Sequence, residues 1–129
     1  MIRFASIPLD KWAWHPSPLV CQVVLVGSVD ATGIVDIAPK SNCAVAAFDP
    51  LTYGFGCQRD HQTCRNIIAT GEFTINIPTV EQADAVWAMV DVPAADRLAT
   101  TGLTTVPGKT VAVPVIEQCA CHLCTGSGR

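Results

Sequence analysis

The sequence predicts a mainly β, α+β domain of barrel-like character, and three observations carry that prediction. Apolar segments are short and follow the two-residue period of strands, helical spacing occurs in only two or three brief stretches, and the regular strand-helix-strand alternation of a doubly wound sheet is missing. Neither Gly-x-Gly-x-x-Gly nor Gly-x-x-x-x-Gly-Lys-Ser/Thr occurs, so a Rossmann or P-loop nucleotide site has no support. The 129 residues, 13.7 kDa, fit one domain spanning 1–129. Folding at that mass buries roughly two thirds of the extended chain's surface, enough for a core without disulfide staples.

Leu19 to Gly27 is β-branched and apolar, Ser28 to Gly33 supplies turn chemistry, and Ile34 to Ala38 resumes alternation; together they read as a β-hairpin. Cys43 to Phe48 is a strand of small residues ended by Asp49-Pro50, since proline restricts its predecessor. Tyr53 to Cys57 is a further strand, in which Gly54 and Gly56 permit close approach of a ligand or a second backbone. His61 to Ala69 reads as a helix with Thr63 as N-cap and Gly71 in the left-handed C-terminal position. Glu72 to Ile77 alternates as a strand. Thr79-Val-Glu-Gln82 has capping-box form and opens a second helix through Val86, Met89 and Val90, with Trp87 in its core face, stopped at Val92-Pro93. Pro93 to Leu98 reads as a third, short helix, Thr100-Thr-Gly102 as a turn, and Val111 to Val113 and Val115 to Leu123 as strands.

Composition excludes several classes. With 50% hydrophobic and 15% charged residues the chain is not a disordered one. Eight Lys+Arg against 11 Asp+Glu, net charge −3, with no basic cluster, argue against nucleic-acid binding. No apolar run approaches the ~20 residues of a membrane span. Met1 to Val20 carries Arg3, Asp10, Lys11 and three prolines in place of a signal-peptide apolar stretch, so no membrane partner and a cytoplasmic location are expected. Seven cysteines, an odd number, read most simply as reduced thiols.

Three segments offer chemistry. Gln58 to Asn66 puts polar and cationic groups at a helix start, where amides without intrahelical partners attract anions; Arg59 and Thr63 would add a charged donor and a hydroxyl for a phosphate. Taken alone, it reads first as an ordinary capped helix with solvated charges. Pro39-Lys-Ser-Asn-Cys43, followed by small residues through Ala47, would let a flat aromatic ligand lie on main-chain amides with Ser41 and Asn42 at its polar edge; a turn before a tightly packed strand is the plainer alternative. Cys119-Ala-Cys-His-Leu-Cys124 gathers soft metal ligands, yet strand geometry would send Cys119 and Cys121 to one face and His122 and Cys124 to the other, leaving small buried cysteines as the alternative. Cys64, near the helix start and Arg65, is a candidate for thiolate character or a spectator thiol. His61 is the best site candidate of the three histidines. Trp12 and Trp14 with Pro16 and Pro18 read as a packing or dimer arm.

In order, Pro18 to Val26, Gly33 to Ala38, Ser41 to Pro50, Arg59 to Ile67 and Thr70 to Ile77 resemble the flavin reductase-like, FMN-binding split-barrel family over roughly residues 16–123. The most specific fragment, Thr63-Cys-Arg-Asn-Ile67 followed by Thr70-Gly-Glu-Phe73 and Asn76-Ile77, is similar to the family's Thr-x-x-Asn-Ile…Thr-Gly-Glu-Phe-x-x-Asn; Gln62 stands where Asp or Lys commonly precedes the Thr. The resemblance implies an antiparallel split β-barrel with short flanking helices, a homodimer, and FMN, or FAD, near the subunit interface. It implies that Ser41, Asn42 and Cys43 border the isoalloxazine and ribityl chain, that Ala46 and Ala47 offer main-chain contacts, and that Arg59, Thr63 and Asn66 bind or organise the phosphate region. Such members continue beyond the strand resembling Val115 to Leu123, so a barrel incomplete at its C-terminal end is expected, its edge either covered by a partner subunit or the mark of a fragment or degenerate member with altered function.

The expected function is an FMN-binding oxidoreductase passing electrons from NAD(P)H through flavin to an acceptor, with no side chain required as acid or base. The rivals are a non-catalytic flavin-binding protein or remnant, and a thiol- or metal-responsive module built on Cys119, Cys121, His122 and Cys124.

Overall fold

A computed structural model describes residues 21–126 of the chain. Val24–Val29 (β1) and Val35–Lys40 (β2) form the expected hairpin, Val24 facing Lys40 and Val29 facing Val35. In its turn the Asp30 carboxylate accepts from the Thr32 hydroxyl at 2.7 Å, the Thr32 amide at 2.8 Å and the Ile34 amide at 3.0 Å, which draws the Asp30 carboxyl below its ordinary range. Gly33 closes the turn with φ of 89°, a conformation side chains disfavour.

Cys43–Phe48 (β3) and Leu51–Phe55 (β4) make a separate two-stranded hairpin. The second strand starts and stops two residues earlier than the sequence pattern suggests. Its two-residue connection puts Phe48 opposite Leu51, drawing Leu51 and Thr52 into the ladder, while the Gly56 amide leaves it to donate to the Asn42 carbonyl at 2.9 Å. Gln62–Thr70 (α1) ends at Gly71 in the left-handed region, whose amide donates to the Ile67 carbonyl at 2.8 Å. Its N-cap is His61, with no side-chain cap bond, and not Thr63. Thr63 is a buried helical residue whose hydroxyl is drawn inward by a carboxylate acceptor.

Glu72–Ile77 (β5) is the expected strand. Thr79 and Gln82 form the capping box, opening a 3-10 turn at Val80–Gln82 and then a short helix, Ala83–Ala88 (α2). A second 3-10 turn, Ala94–Asp96, leads into Arg97–Thr101 (α3), three residues beyond the expected end, and Gly102 terminates it. The last stretch departs from the sequence reading. Val111 to Val113 is not a strand, because the Ala112 amide is satisfied at 2.8 Å by the Glu72 carboxylate and Pro114 has no amide to pair. The segment read as one strand is two: Thr105–Val106 (β6) pairs with Val115–Ile116 (β7), a turn follows, and Cys121–Gly126 (β8) pairs with β5.

The main sheet is antiparallel in the order β2-β1-β5-β8. One face carries Leu25, Ile37, Met89, Ile116 and Cys119, covered by Val86 and Leu98 from the helices; the other carries Val24, Val26, Phe73 and Ile75, covered by Cys43, Tyr53 and Phe55 of the β3–β4 hairpin and Ile67 of α1. Phe55 meets Phe73 edge to face at 5.5 Å. The hairpin and α2 thus pack on opposite faces, with edge strand β2 between them. β8 forms the opposite edge and pairs with β5 alone among the described residues. Trp12 and Trp14 lie outside the described residues.

Gly27 packs where no side chain fits: an added Cβ would run into the Thr74 hydroxyl and sit 3.3 Å from the Ile37 side chain. Gly27→Ala should therefore lower the unfolding free energy by about 1–3 kcal/mol, read as a lower denaturant midpoint. Gly54→Ala, whose Cβ meets only the Ala46 Cβ at 3.9 Å, should cost less; equal midpoints would show that the sheet yields at Gly27.

Candidate functional site

Three structural elements meet beside the end of β2. The start of α1 lies on one side, α2 and α3 on the other, and they enclose a half-open cavity of about 750 Å³. That is within the roughly 300–1,000 Å³ of small-molecule and cofactor sites.

Buried hydrogen bonds position these walls. Asp36 and Ser28 face each other across β1 and β2, both turned toward α1. Thr63 donates its hydroxyl to Asp36 at 2.9 Å, Asn66 donates its amide to the Ser28 hydroxyl at 3.1 Å, and Gln62 donates to the Asn66 carbonyl oxygen at 2.6 Å. From the other side Arg97 of α3 donates to Asp36 at 2.8 Å as an ion pair, the two side chains 20% and 3% exposed. One carboxylate thus joins β2, α1 and α3. Arg65 locks the approach to α1 through the Asp60 carbonyl at 2.5 Å and Gln62 at 2.9 Å.

The polar wall centres on Lys40 and His61. The Lys40 ammonium is a pure donor, so its 3.2 Å contact makes His61 Nδ1 the acceptor and places the ring proton on Nε2. Cys57 Sγ lies 4.0 Å from the same nitrogen. Thr63 and the first turn of α1 stand beside this pair, the helix supplying amides with no intrahelical acceptor. The opposite wall is apolar, made of Val86, Trp87, Met89 and Val90.

Of the residues expected at a site, Ser41 and Thr63 line this cavity. Asn42 immediately precedes the β3–β4 hairpin, and Cys43, Ala46 and Ala47 lie in its first strand; none of the four is on the cavity wall. Cys43 packs its half-buried side chain toward Val24 and Val26, and burial raises its thiol pKa. Ala46 is the extra residue of a β-bulge, since Val45 faces Tyr53 and Ala47 faces Thr52. Asn66 is 2% exposed and turned to Ser28, while Arg59 is exposed in the turn before α1 and off the wall. Lys40 and Arg97 were not singled out by the sequence; the position of Lys40 immediately before Ser41 was the available signal. Trp87 is not a core residue but 79% exposed, because Val86 and Met89 take the inward positions of the short α2.

The residues of the Cys/His motif point to separate environments. Cys119 lies in a turn inside the core, Cys121 is exposed, and His122 Nε2 is held at 2.6 Å by the Ile116 carbonyl. Among the described residues no three His, Cys, Asp or Glu groups converge on a metal position, and all seven cysteines are free thiols. No described helix is long and apolar enough to cross a membrane.

An antiparallel sheet flanked by short helices, with a ligand-sized cavity over a helix start, defines a flavin reductase-like split-barrel protein. The chain belongs to the flavin reductase like domain family, whose model matches residues 18–125. Nitrilotriacetate monooxygenase component B from Bacillus cereus superposes with a TM-score of 0.85 over 100% of this chain and 69% of its own, at 21% identity. The NADH:FAD oxidoreductase of Streptomyces globisporus gives 0.82 over 100% and 77%, at 16% identity. An uncharacterized protein of Pyrococcus abyssi is 29% identical over 79 residues, 61% of this chain, and the chain spans 46% of that curated relative.

Removing Asp36 would leave the Arg97 charge and the Thr63 hydroxyl unpaired, so Asp36→Ala should cost about 3 kcal/mol in a denaturant titration; a loss below about 1 kcal/mol would show that water replaces the carboxylate. Burial moves the Cys119 thiol from 9.0 up to about 11. The stability this neutral thiol confers is fully present below pH 9 and is lost as pH rises through about 11. Iodoacetamide at pH 8 should accordingly modify exposed Cys121 at least about tenfold faster than Cys119, as read by peptide mass mapping; comparable rates would contradict that burial.

Proposed function

We propose that this protein is an FMN-binding oxidoreductase of the flavin reductase-like class, taking electrons from NAD(P)H and passing them through flavin to an acceptor. The observation that carries this reading is the Lys40–His61 pair beside the start of α1, on the wall of a cofactor-sized cavity, in a chain of that family. The residues fit a flavin: a cationic, amide-rich corner suits its phosphate, and the small-residue hairpin beginning at Ser41 suits a flat ring.

Bound flavin supplies hydride acceptance and electron transfer; the chain binds it and orients it. Lys40, His61 and the first amides of α1 hold the phosphate, with Ser41 at the junction and Arg59 as a second cation from the preceding turn. Thr63 and Asn66 organise this corner without touching the phosphate, because their side chains are spent on Asp36 and Ser28. The bulge frees main-chain groups around Ala46 and Ala47 to meet the ring edge, and the backbone of Asn42 and Cys43 borders the isoalloxazine and ribityl chain.

Phe48 and Leu51 at the hairpin tip are 86% and 75% exposed, which supports a homodimer that covers this tip beside the flavin. Seven free thiols suit the cytoplasm.

The test is the visible spectrum of the purified protein, with mass identification of any released chromophore, before and after anaerobic addition of NADH or NADPH. Bound FMN that bleaches is expected. FMN that stays oxidised would reduce the role to flavin binding, and a colourless protein that FMN cannot reconstitute would overturn the reading. Lys40→Ala should weaken FMN about tenfold or more, the scale of a hydrogen bond to a charged group, and leave riboflavin affinity unchanged; equal losses for both would remove Lys40 from the phosphate.

A further inference from the structure

Trp87 has no part in the flavin site described above, yet it occupies a wall of the same cavity. It is 79% exposed, and Val90 beside it is 52% exposed. An indole left in water forgoes a large apolar contact area. Its placement follows from the packing of α2: Met89 is fully buried against Leu25, Ile37 and Ile116, Val86 packs on the same cluster, and the intervening Trp87 is left pointing away from the core. The result is an aromatic surface lining the same cavity as the Lys40 ammonium and His61.

The sheet separates the two aromatic-binding surfaces. The hairpin proposed for the isoalloxazine packs on the face of Val24 and Val26, whereas α2 packs on the face of Leu25 and Ile37. The end of edge strand β2, where Lys40 stands, lies between them. A phosphate held there therefore lies between ring-binding surfaces on the two faces, of which the flavin reading uses only one.

Resting on that flavin reading, we propose that Trp87 is a stacking platform for adenine, so that the cavity accepts an adenosine phosphate with its ring on α2 and its phosphate toward Lys40 and His61. The chemistry is sequence-tolerant π-stacking combined with a charge-assisted phosphate contact. The adenosine phosphate is the second half of FAD, whose two linked phosphates share the Lys40 and His61 corner.

Isothermal titration of the full chain with FMN, FAD and ADP, for wild type, Trp87→Ala and Trp87→Phe, reads the effect. ADP should bind wild type and weaken about tenfold in Trp87→Ala, the scale of losing one stacked base, with most affinity kept in Trp87→Phe. FAD affinity should fall in parallel while FMN affinity does not. FMN and FAD affinities that both hold while the KM for NADH at saturating FMN rises would assign Trp87 to the donor and overturn the proposal. Equal weakening of FMN and FAD would place Trp87 on the isoalloxazine and overturn the proposal, as would unchanged ADP affinity in Trp87→Ala. A wild type that binds ADP through Trp87 but no flavin would overturn the flavin reading and leave the adenine platform standing. The exposure of Trp87 predicts the wild-type thermal midpoint for both variants, which separates loss of binding from loss of fold.

Discussion

Burying the Asp36 carboxylate is the constraint on which the rest of this molecule turns. A carboxylate that is 3% exposed is costly unless charge and hydrogen bonds offset its lost hydration. Here the offset comes from Thr63 of α1 and Arg97 of α3, elements far apart in sequence on either side of the cavity. Satisfying one charge therefore sets the spacing between the cavity's walls. Asn76 does the same within the core: its amide donates to the Leu25 carbonyl at 3.0 Å and its carbonyl oxygen accepts from the Ile116 amide at 2.9 Å, joining β1, β5 and β7.

The buried polar groups free other groups for ligands. Thr63 and Asn66 hold α1 in place, so the amides of its first turn, Lys40 and His61 remain on the cavity wall. The β3–β4 hairpin balances the same way: Cys43, Tyr53 and Phe55 spend their side chains on the sheet, while the bulge at Ala46 leaves main chain available. The cavity sits at an edge strand because there the ladder ends and helices from both faces of the sheet approach one another.

Most local structure was legible because local chemistry decides it. The Asp30 to Gly33 turn, the Gly71 stop and the Thr79/Gln82 capping box all form within a few residues and appear as read. Misreadings occur where a distant group competes. Thr63 looks like an N-cap, whose hydroxyl would accept from helix amides, but its hydroxyl instead donates to Asp36, 27 positions away. Val111 to Val113 has strand composition, yet the Ala112 amide is taken by Glu72. Trp87 has helical core spacing, but α2 is only six residues long and Val86 and Met89 occupy its inward side.

The sequence by itself determined the strand and helix order as far as α3, the turns there, and the motif that joins Thr63 to Asn76 with the flavin reductase-like family, because these depend on short-range periodicity and fixed spacing. It also pointed to Ser41 and Thr63, which meet on one cavity wall. Only the tertiary structure decided that Thr63 faces a carboxylate, that Lys40 meets His61 on the cavity wall, that Cys119 to Cys124 disperses, and that Trp87 lines the cavity. Each depends on which long-range partner satisfies a buried group or fills a face, and residue spacing along the chain does not encode that partner.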